Sequence, residues 1–184
     1  MKSTWSLLSK DPVVKGRPMN ITLEPTNICN LFCPICETGA GTLDREEGHM
    51  TLKQFKSIIN KVGVYTNTLM FYFMGEPFLN KQAYEMIRYA KETGIPFITT
   101  CTNGDPVEPK KLIECGLDEV NFQIGGMTQE THEVYRINSN LERILKALNE
   151  TIRLKRLLKS KIPILAGFIV MKHNEMKWEL LKNV

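Results

Sequence analysis

The chain has 184 residues and a mass of 21.1 kDa, enough for one ordinary domain and too little for two full catalytic domains. With 42% apolar and 24% charged residues it has the composition of a folded globular protein, which excludes a disordered chain or a collagen-like fibre. A net charge of +4, from 24 basic and 20 acidic side chains, is too small and dispersed to imply a nucleic-acid partner.

Residues 1–18 read as an N-terminal arm, which Trp5 would pack down, and residues 19–184 as one domain. No apolar stretch approaches the roughly 20 residues that cross a bilayer, and the arm lacks a signal peptide's apolar block, so no membrane span and a cytoplasmic address are expected. Apolar β-forming segments then alternate with segments of helical period, the pattern of parallel strands joined by right-handed crossovers. The first strand is Asn20 to Glu24. Thr51 opens a helix carrying Phe55, Ile58, Ile59 and Val62 on one face, and Gly63 marks its stop. A second strand, Leu69 to Met74, precedes a helix from Lys81 to Glu92. The third strand is Pro96 to Cys101, and a short helix runs from Pro109 to Cys115. The fourth strand, Glu119 to Ile124, is followed by a long helix from Ser139 to Lys159. Its stripe of Leu141, Ile144, Leu145, Leu148, Ile152 and Leu158 should face the core. The fifth strand is Ile164 to Met171, with a helical start after Asn174. The expected fold class is α/β, an open parallel sheet. Its last edge and apolar face would be uncovered, so either a C-terminal region or a partner chain covers them, or the chain is a truncated piece of a longer protein.

Five cysteines is an odd count, and Cys29, Cys33 and Cys36 fall within eight residues, too close for the loop-closing disulfides of a secreted scaffold. They follow the first strand, and in parallel α/β folds ligands collect outside the carboxyl ends of the strands. Thiolates suit zinc or iron–sulfur clusters, and three local ones can hold three corners of a four-iron cube. The fourth iron would then be open to a substrate or cofactor. The alternative from the same residues is a Cys3His zinc site with His49 as fourth ligand, although zinc ligands usually come in paired knuckles. Cys101 and Cys115 read as small buried hydrophobes.

The triplet resembles the C-x3-C-x2-C signature of radical S-adenosylmethionine (radical SAM) enzymes. The approach GRPMNITLEPTNICNLFCPIC resembles the first strand and cluster loop of the subfamily with peptide-maturing, SPASM-type members. Further landmarks follow in order. Met74-Gly75-Glu76-Pro77 resembles the family's Gly-Gly-Glu-Pro turn, which holds the amino group of the cofactor's methionine moiety; Met74 replaces the first glycine, so Gly75, Glu76 and Pro77 carry over. Thr102-Asn103-Gly104 resembles the loop beneath the cofactor, although Asn-Gly is also a common turn dipeptide. Where relatives end strand four in Ser and Asp, this chain offers the Gln123 amide as a substitute. Arg136 matches a position that reaches the cofactor carboxylate in some members, and equally suits a surface. Gly167 and Ile169 resemble residues lining the adenine. Ile35 stands where an aromatic residue is usual, leaving its backbone to meet the adenine edge.

The resemblance implies a partial TIM barrel with about five of the usual six β/α units. It also implies a 4Fe-4S cluster held by Cys29, Cys33 and Cys36, with S-adenosylmethionine on the open iron. A low-potential electron donor, flavodoxin- or ferredoxin-like, would supply one electron, and the resulting 5'-deoxyadenosyl radical would abstract hydrogen from an unidentified substrate, a peptide being one candidate. No side chain need act as acid or base. The rival to an enzyme is a non-catalytic iron–sulfur module or a degenerate relative.

Overall fold

Five strands form one all-parallel sheet in the order β1-β2-β3-β4-β5: β1 (Asn20–Thr22), β2 (Thr68–Met70), β3 (Phe97–Thr102), β4 (Glu119–Ile124) and β5 (Ile164–Phe168). This computed structural model describes residues 16–175 and Leu8, so the packing expected of Trp5 and nearly all of the helical start after Asn174 lie outside the described residues. The crossovers carry α1 (Leu52–Val62), α2 (Ala83–Glu92), α3 (Pro109–Glu114), α4 (Gln129–Glu133) and α5 (Leu141–Leu157). Each strand pairs with the next in sequence, as the α/β reading requires.

Side-chain alternation decides which face the helices cover. Ile98, Thr100 and Thr102 on β3, and Val120, Phe122 and Ile124 on β4, are buried beneath the helices. Thr99, Cys101, Asn121 and Gln123 between them point to the opposite, concave face. A parallel sheet covered on both faces reads as continuous apolar runs; this one alternates because its concave face is polar. Against the convex face pack Phe55 and Ile59 of α1, Met86 and Ile87 of α2, Leu112 of α3 and Leu148 of α5. Phe55 meets Phe71 edge to face at 5.8 Å. Thr51 and Gln54 form a reciprocal capping box that fixes where α1 begins.

Several boundaries differ from the sequence expectation. The regular ladder of β1 ends at Thr22 and that of β2 at Met70, because the following backbone serves the site: the Met74 N–H is held by the Glu24 carboxylate at 3.0 Å. β5 ends at Phe168 rather than Met171. Asn174 curls the chain there, donating to Ile169 O and Gly125 O and accepting from the Met171 N–H. The short helix α4 has no counterpart in the sequence reading; Thr128 and Thr131 cap its start, a Thr-x-x-Thr pair in place of the usual acidic or amide residue. Leu158 is 47% exposed rather than core-facing, since it caps α5 beyond the last turn that reaches the sheet.

Candidate functional site

At the carboxyl ends of the strands lies a cavity of about 220 Å³. The loop after β1 contributes Cys29, Cys33 and Cys36, so all three thiols line the one cavity. The segment after β2 adds Tyr72, Gly75 and Glu76, β3 adds Cys101, the residue just after β3 is Asn103, and β4 adds Gln123. Tyr135 and Arg136 come from beyond α4, and Ile169 from the end of β5. Nine of the eleven candidate site residues, Arg136 among them, thus meet around one space. Two do not line it: Ile35 is 77% exposed at the tip of the cysteine loop, and Pro77 is buried as the first residue of a 3-10 turn, Pro77–Leu79.

Hydrogen bonds, most of them from amide and hydroxyl side chains, shape the cysteine loop. Asn27 accepts from the Gly48 N–H at 2.7 Å and donates to Glu46 O at 2.8 Å, tying down the return segment. Thr26 donates to Gly48 O and accepts from the Ile28 N–H. Asn30 donates to Asp105 at 2.9 Å and accepts from Asn103 at 2.9 Å, linking the loop to the end of β3. Asn138 donates to Asn30 O at 2.9 Å from the far side. Gly39 sits so close to Cys33 that a Cβ would lie 2.5 Å from the Cys33 nitrogen. Of these supports only Asn103 is singled out by the sequence; the others join positions whose nearness only the fold creates.

The turn after β2 locks against this loop. A Cβ on Gly75 would stand 2.2 Å from Thr26 O and 2.8 Å from Ile28 O, and the Glu76 N–H donates to Ile28 O at 2.9 Å. The Glu76 carboxylate is buried and accepts from the Asn103 N–H at 2.7 Å, the Thr102 hydroxyl at 2.8 Å and the Phe78 N–H at 3.2 Å. Burial raises its pKa to about 7, opposed by these donors. One carboxylate therefore fixes the ends of β2 and β3 relative to each other. Asn103 in turn lies with its amide nitrogen 3.9 Å from the Cys29 sulfur.

Burial also pushes the Cys29 thiol up to about 11 and the Cys33 thiol upward, the latter opposed by the Arg136 guanidinium. Iron binding at these sulfurs would thus release protons. Arg136 reaches Gln123 Oε1 at 3.5 Å, and its Nε is buried without a partner. A buried guanidinium nitrogen with nothing to bond is the complement of an anionic group such as a carboxylate. Three soft donors around one space, with this donor beside them, fit an iron–sulfur cluster and a carboxylate-bearing cofactor. Among the described residues no three His, Cys, Asp or Glu side chains converge on a single metal ion, and His49 lines a separate groove with Glu24 and Arg45. His49 is therefore not placed beside the three thiols as a fourth ligand. Cys101 departs from the buried-hydrophobe expectation: it is half-buried on the concave face and lines the cavity.

The Arg136 N–H donates to His132 O at 3.0 Å, and the His132 ring anchors that turn. The His132 Nδ1 accepts from the Gly125 N–H at 3.1 Å, so Nε2 carries the hydrogen and donates to the Ser139 hydroxyl at 2.9 Å. Burial, and then the Arg136 charge, lowers the His132 pKa to about 4 from 6.5. A lowered histidine pKa means the unfolded chain binds more protons, so this stabilisation is complete above pH 6.5 and lost as pH falls toward 4. The shift corresponds to about 3 kcal/mol. Urea unfolding of wild type should lose stability across that window, and His132→Gln should show a flatter pH profile there.

An open parallel half-barrel with a thiol loop over a cavity at its strand ends is a scaffold of the TIM-barrel-like class, with its ligands gathered at the carboxyl face. The chain belongs to the radical SAM superfamily: the model of that superfamily matches residues 23–182. Its members hold a 4Fe-4S cluster and S-adenosylmethionine, and these are the cofactors that membership brings. A probable GTP 3',8-cyclase of Pyrococcus horikoshii is 28% identical over 175 residues, covering 91% of this chain and 53% of that protein. The mycofactocin maturase MftC of Mycobacterium tuberculosis is 26% identical over 136 residues, covering 71% of this chain and 34% of the maturase. Streptococcus suis SuiB, solved bound to the precursor peptide SuiA, superposes with a TM-score of 0.70 at 14% identity, over 97% of this chain and 38% of SuiB. The anSMEcpe structure with bound AdoMet superposes with a TM-score of 0.62 at 18% identity, over 82% of this chain and 43% of that one. The chain spans about half or less of the length of the curated relatives it matches.

Proposed function

We propose that this chain cleaves S-adenosylmethionine reductively at a 4Fe-4S cluster held by Cys29, Cys33 and Cys36. The observation that carries the reading is that all three thiols share one cavity with Gly75, Glu76, Asn103, Gln123 and Arg136. When bound, cluster and cofactor together supply a carbon-centred radical able to abstract hydrogen from a substrate. The chain's own part is placement. The Arg136 guanidinium pairs with the cofactor carboxylate, the backbone beside Gly75 receives its ammonium, and Glu76 keeps that turn and Asn103 in register. Gln123 and Ile169 border the remaining volume. A low-potential one-electron protein, flavodoxin- or ferredoxin-like, feeds the cluster.

A peptide is the substrate class we favour, supported by the resemblance of GRPMNITLEPTNICNLFCPIC to the cluster loop of peptide-maturing members. The test is anaerobic reconstitution with iron and sulfide, followed by reduction in the presence of S-adenosylmethionine. The expected result is a brown protein that forms 5'-deoxyadenosine. A stably clustered protein that forms none under reduction is the non-catalytic module instead.

A further inference from the structure

We propose that the Arg143–Asp105 ion pair, acting through Asn30 and Asn103, sets how readily the cluster accepts its electron. The inference rests on the proposed function, since it takes Cys29 as a cluster ligand, and adds a control on the potential at that ligand.

Four side chains form one line from the protein surface to the Cys29 sulfur. Arg143 Nη1 stands 3.0 Å from Asp105 Oδ1. That oxygen is buried and takes no directed hydrogen bond, so the contact is one of charge. The other carboxylate oxygen of Asp105 accepts from the Asn30 amide at 2.9 Å. Asn30 Oδ1 accepts from Asn103 Nδ2 at 2.9 Å, and the same nitrogen lies 3.9 Å from Cys29 Sγ. Its two amide hydrogens serve the two partners. Gly104 separates Asn103 from Asp105 at φ 86°, and a Cβ there would stand 2.9 Å from Ile144 of α5. The Asp105 N–H closes this turn on Asn103 Oδ1 at 2.9 Å, which sets both side chains against the cysteine loop. Arg143 lies in the first turn of α5, where the helix dipole disfavours a cation; Asp105 supplies the compensating charge. Because the Asp105 side chain is only 16% exposed, dissolved salt screens the pair weakly. Arg143, Asp105 and Asn30 do not line the cavity. They are positioning residues, and Asn103 carries their effect to the site.

Electrostatics fix the sign. One-electron reduction adds negative charge beside Cys29, and both nearby charge and hydrogen bonds to cluster sulfurs tune such a potential. The Asp105 carboxylate opposes reduction, and Arg143 offsets it. Neutralising Asp105 therefore makes reduction easier, whereas removing Arg143 makes it harder.

The test is a potentiometric titration of the anaerobically reconstituted protein, followed by electron paramagnetic resonance of the reduced cluster, with no substrate and no turnover. Asp105→Asn keeps an oxygen to accept from Asn30 and should raise the midpoint potential; Arg143→Gln should lower it. Each shift is expected to be about tenfold in the reduction equilibrium, or ~59 mV for one electron. The double variant should return close to wild type. A loosened loop would move both single variants the same way, so opposite signs separate an electrostatic role from a structural one. In an Asn30→Ala background the Asp105→Asn shift should fall by at least half, with Asn30→Ser in its place if the alanine variant loses iron. Single-variant potentials equal to wild type, or shifted in the same direction, overturn the inference and leave the cluster assignment standing. A shift undiminished without the Asn30 amide is a direct field effect and overturns transmission through the two asparagines. Wild-type protein that takes up no iron and sulfide overturns the proposed function, and the inference with it.

Discussion

Cys33→Ala is expected to strip the protein of its cluster and reduce 5'-deoxyadenosine formation to background. Three sulfurs leave one corner of a four-iron cube to the cofactor, so removing one leaves two irons without a protein ligand, and a cube so held dissociates or rearranges. Of the three proposed ligands Cys33 is also the least exposed, at 5%, and is pressed against Gly39. No other described thiol is placed to replace it in the loop. Alanine is preferred to serine because a serine oxygen can itself bind iron. The truncation removes one buried sulfur, a stability cost of about 1 kcal/mol, so far-ultraviolet circular dichroism should remain that of wild type. Cleavage retained by a folded Cys33→Ala protein would remove the basis of the functional reading.

The second large effect is expected from Gly75→Ala. Its added methyl would stand 2.2 Å from Thr26 O and 2.8 Å from Ile28 O, and both contacts are backbone atoms that cannot swing aside. Either the turn after β2 or the cysteine loop has to move, and the Glu76 N–H bond to Ile28 O is lost with it. Overpacking of this kind against backbone costs about 3 kcal/mol, which for a chain of this size lowers Tm by about 10 °C. Because Ile28 adjoins Cys29, iron and sulfide content should fall as well. Thermal unfolding and metal analysis on the same anaerobic sample check both, and an unchanged Tm would show that the turn and loop are not packed as described.

The elements legible in the sequence were those whose signal is local. β4 is legible with its observed ends, because Val120, Phe122 and Ile124 alternate with polar residues over one uninterrupted strand. The start of α1 was legible from Thr51 and its apolar spacing. The strand ends that differ are those where a distant side chain takes the backbone: Glu24 at Met74, and Asn174 at Ile169 and Met171. The site divides in the same way. The thiol spacing and the Gly-Glu-Pro turn are short-range patterns, and the fold brings them to one cavity. Cys101 and Tyr72 carry no such pattern. A single cysteine in a strand does not reveal which face it occupies until register places it opposite Asn121 on β4, two residues before Gln123 and on the same face.

The sulfur loop is clasped chiefly by amides and hydroxyls: Asn27, Asn30, Asn103, Asn138 and Thr26 make its side-chain tertiary bonds, and the carboxylates among their partners are Asp105 and Glu76. Screening by dissolved salt weakens attraction between exposed charges and leaves dipole-to-dipole bonds largely untouched. The loop that presents the thiols should therefore keep its shape from dilute buffer to concentrated brine, so an ionic-strength dependence in the activity would report on the encounter with the electron donor and not on a loosened metal cradle.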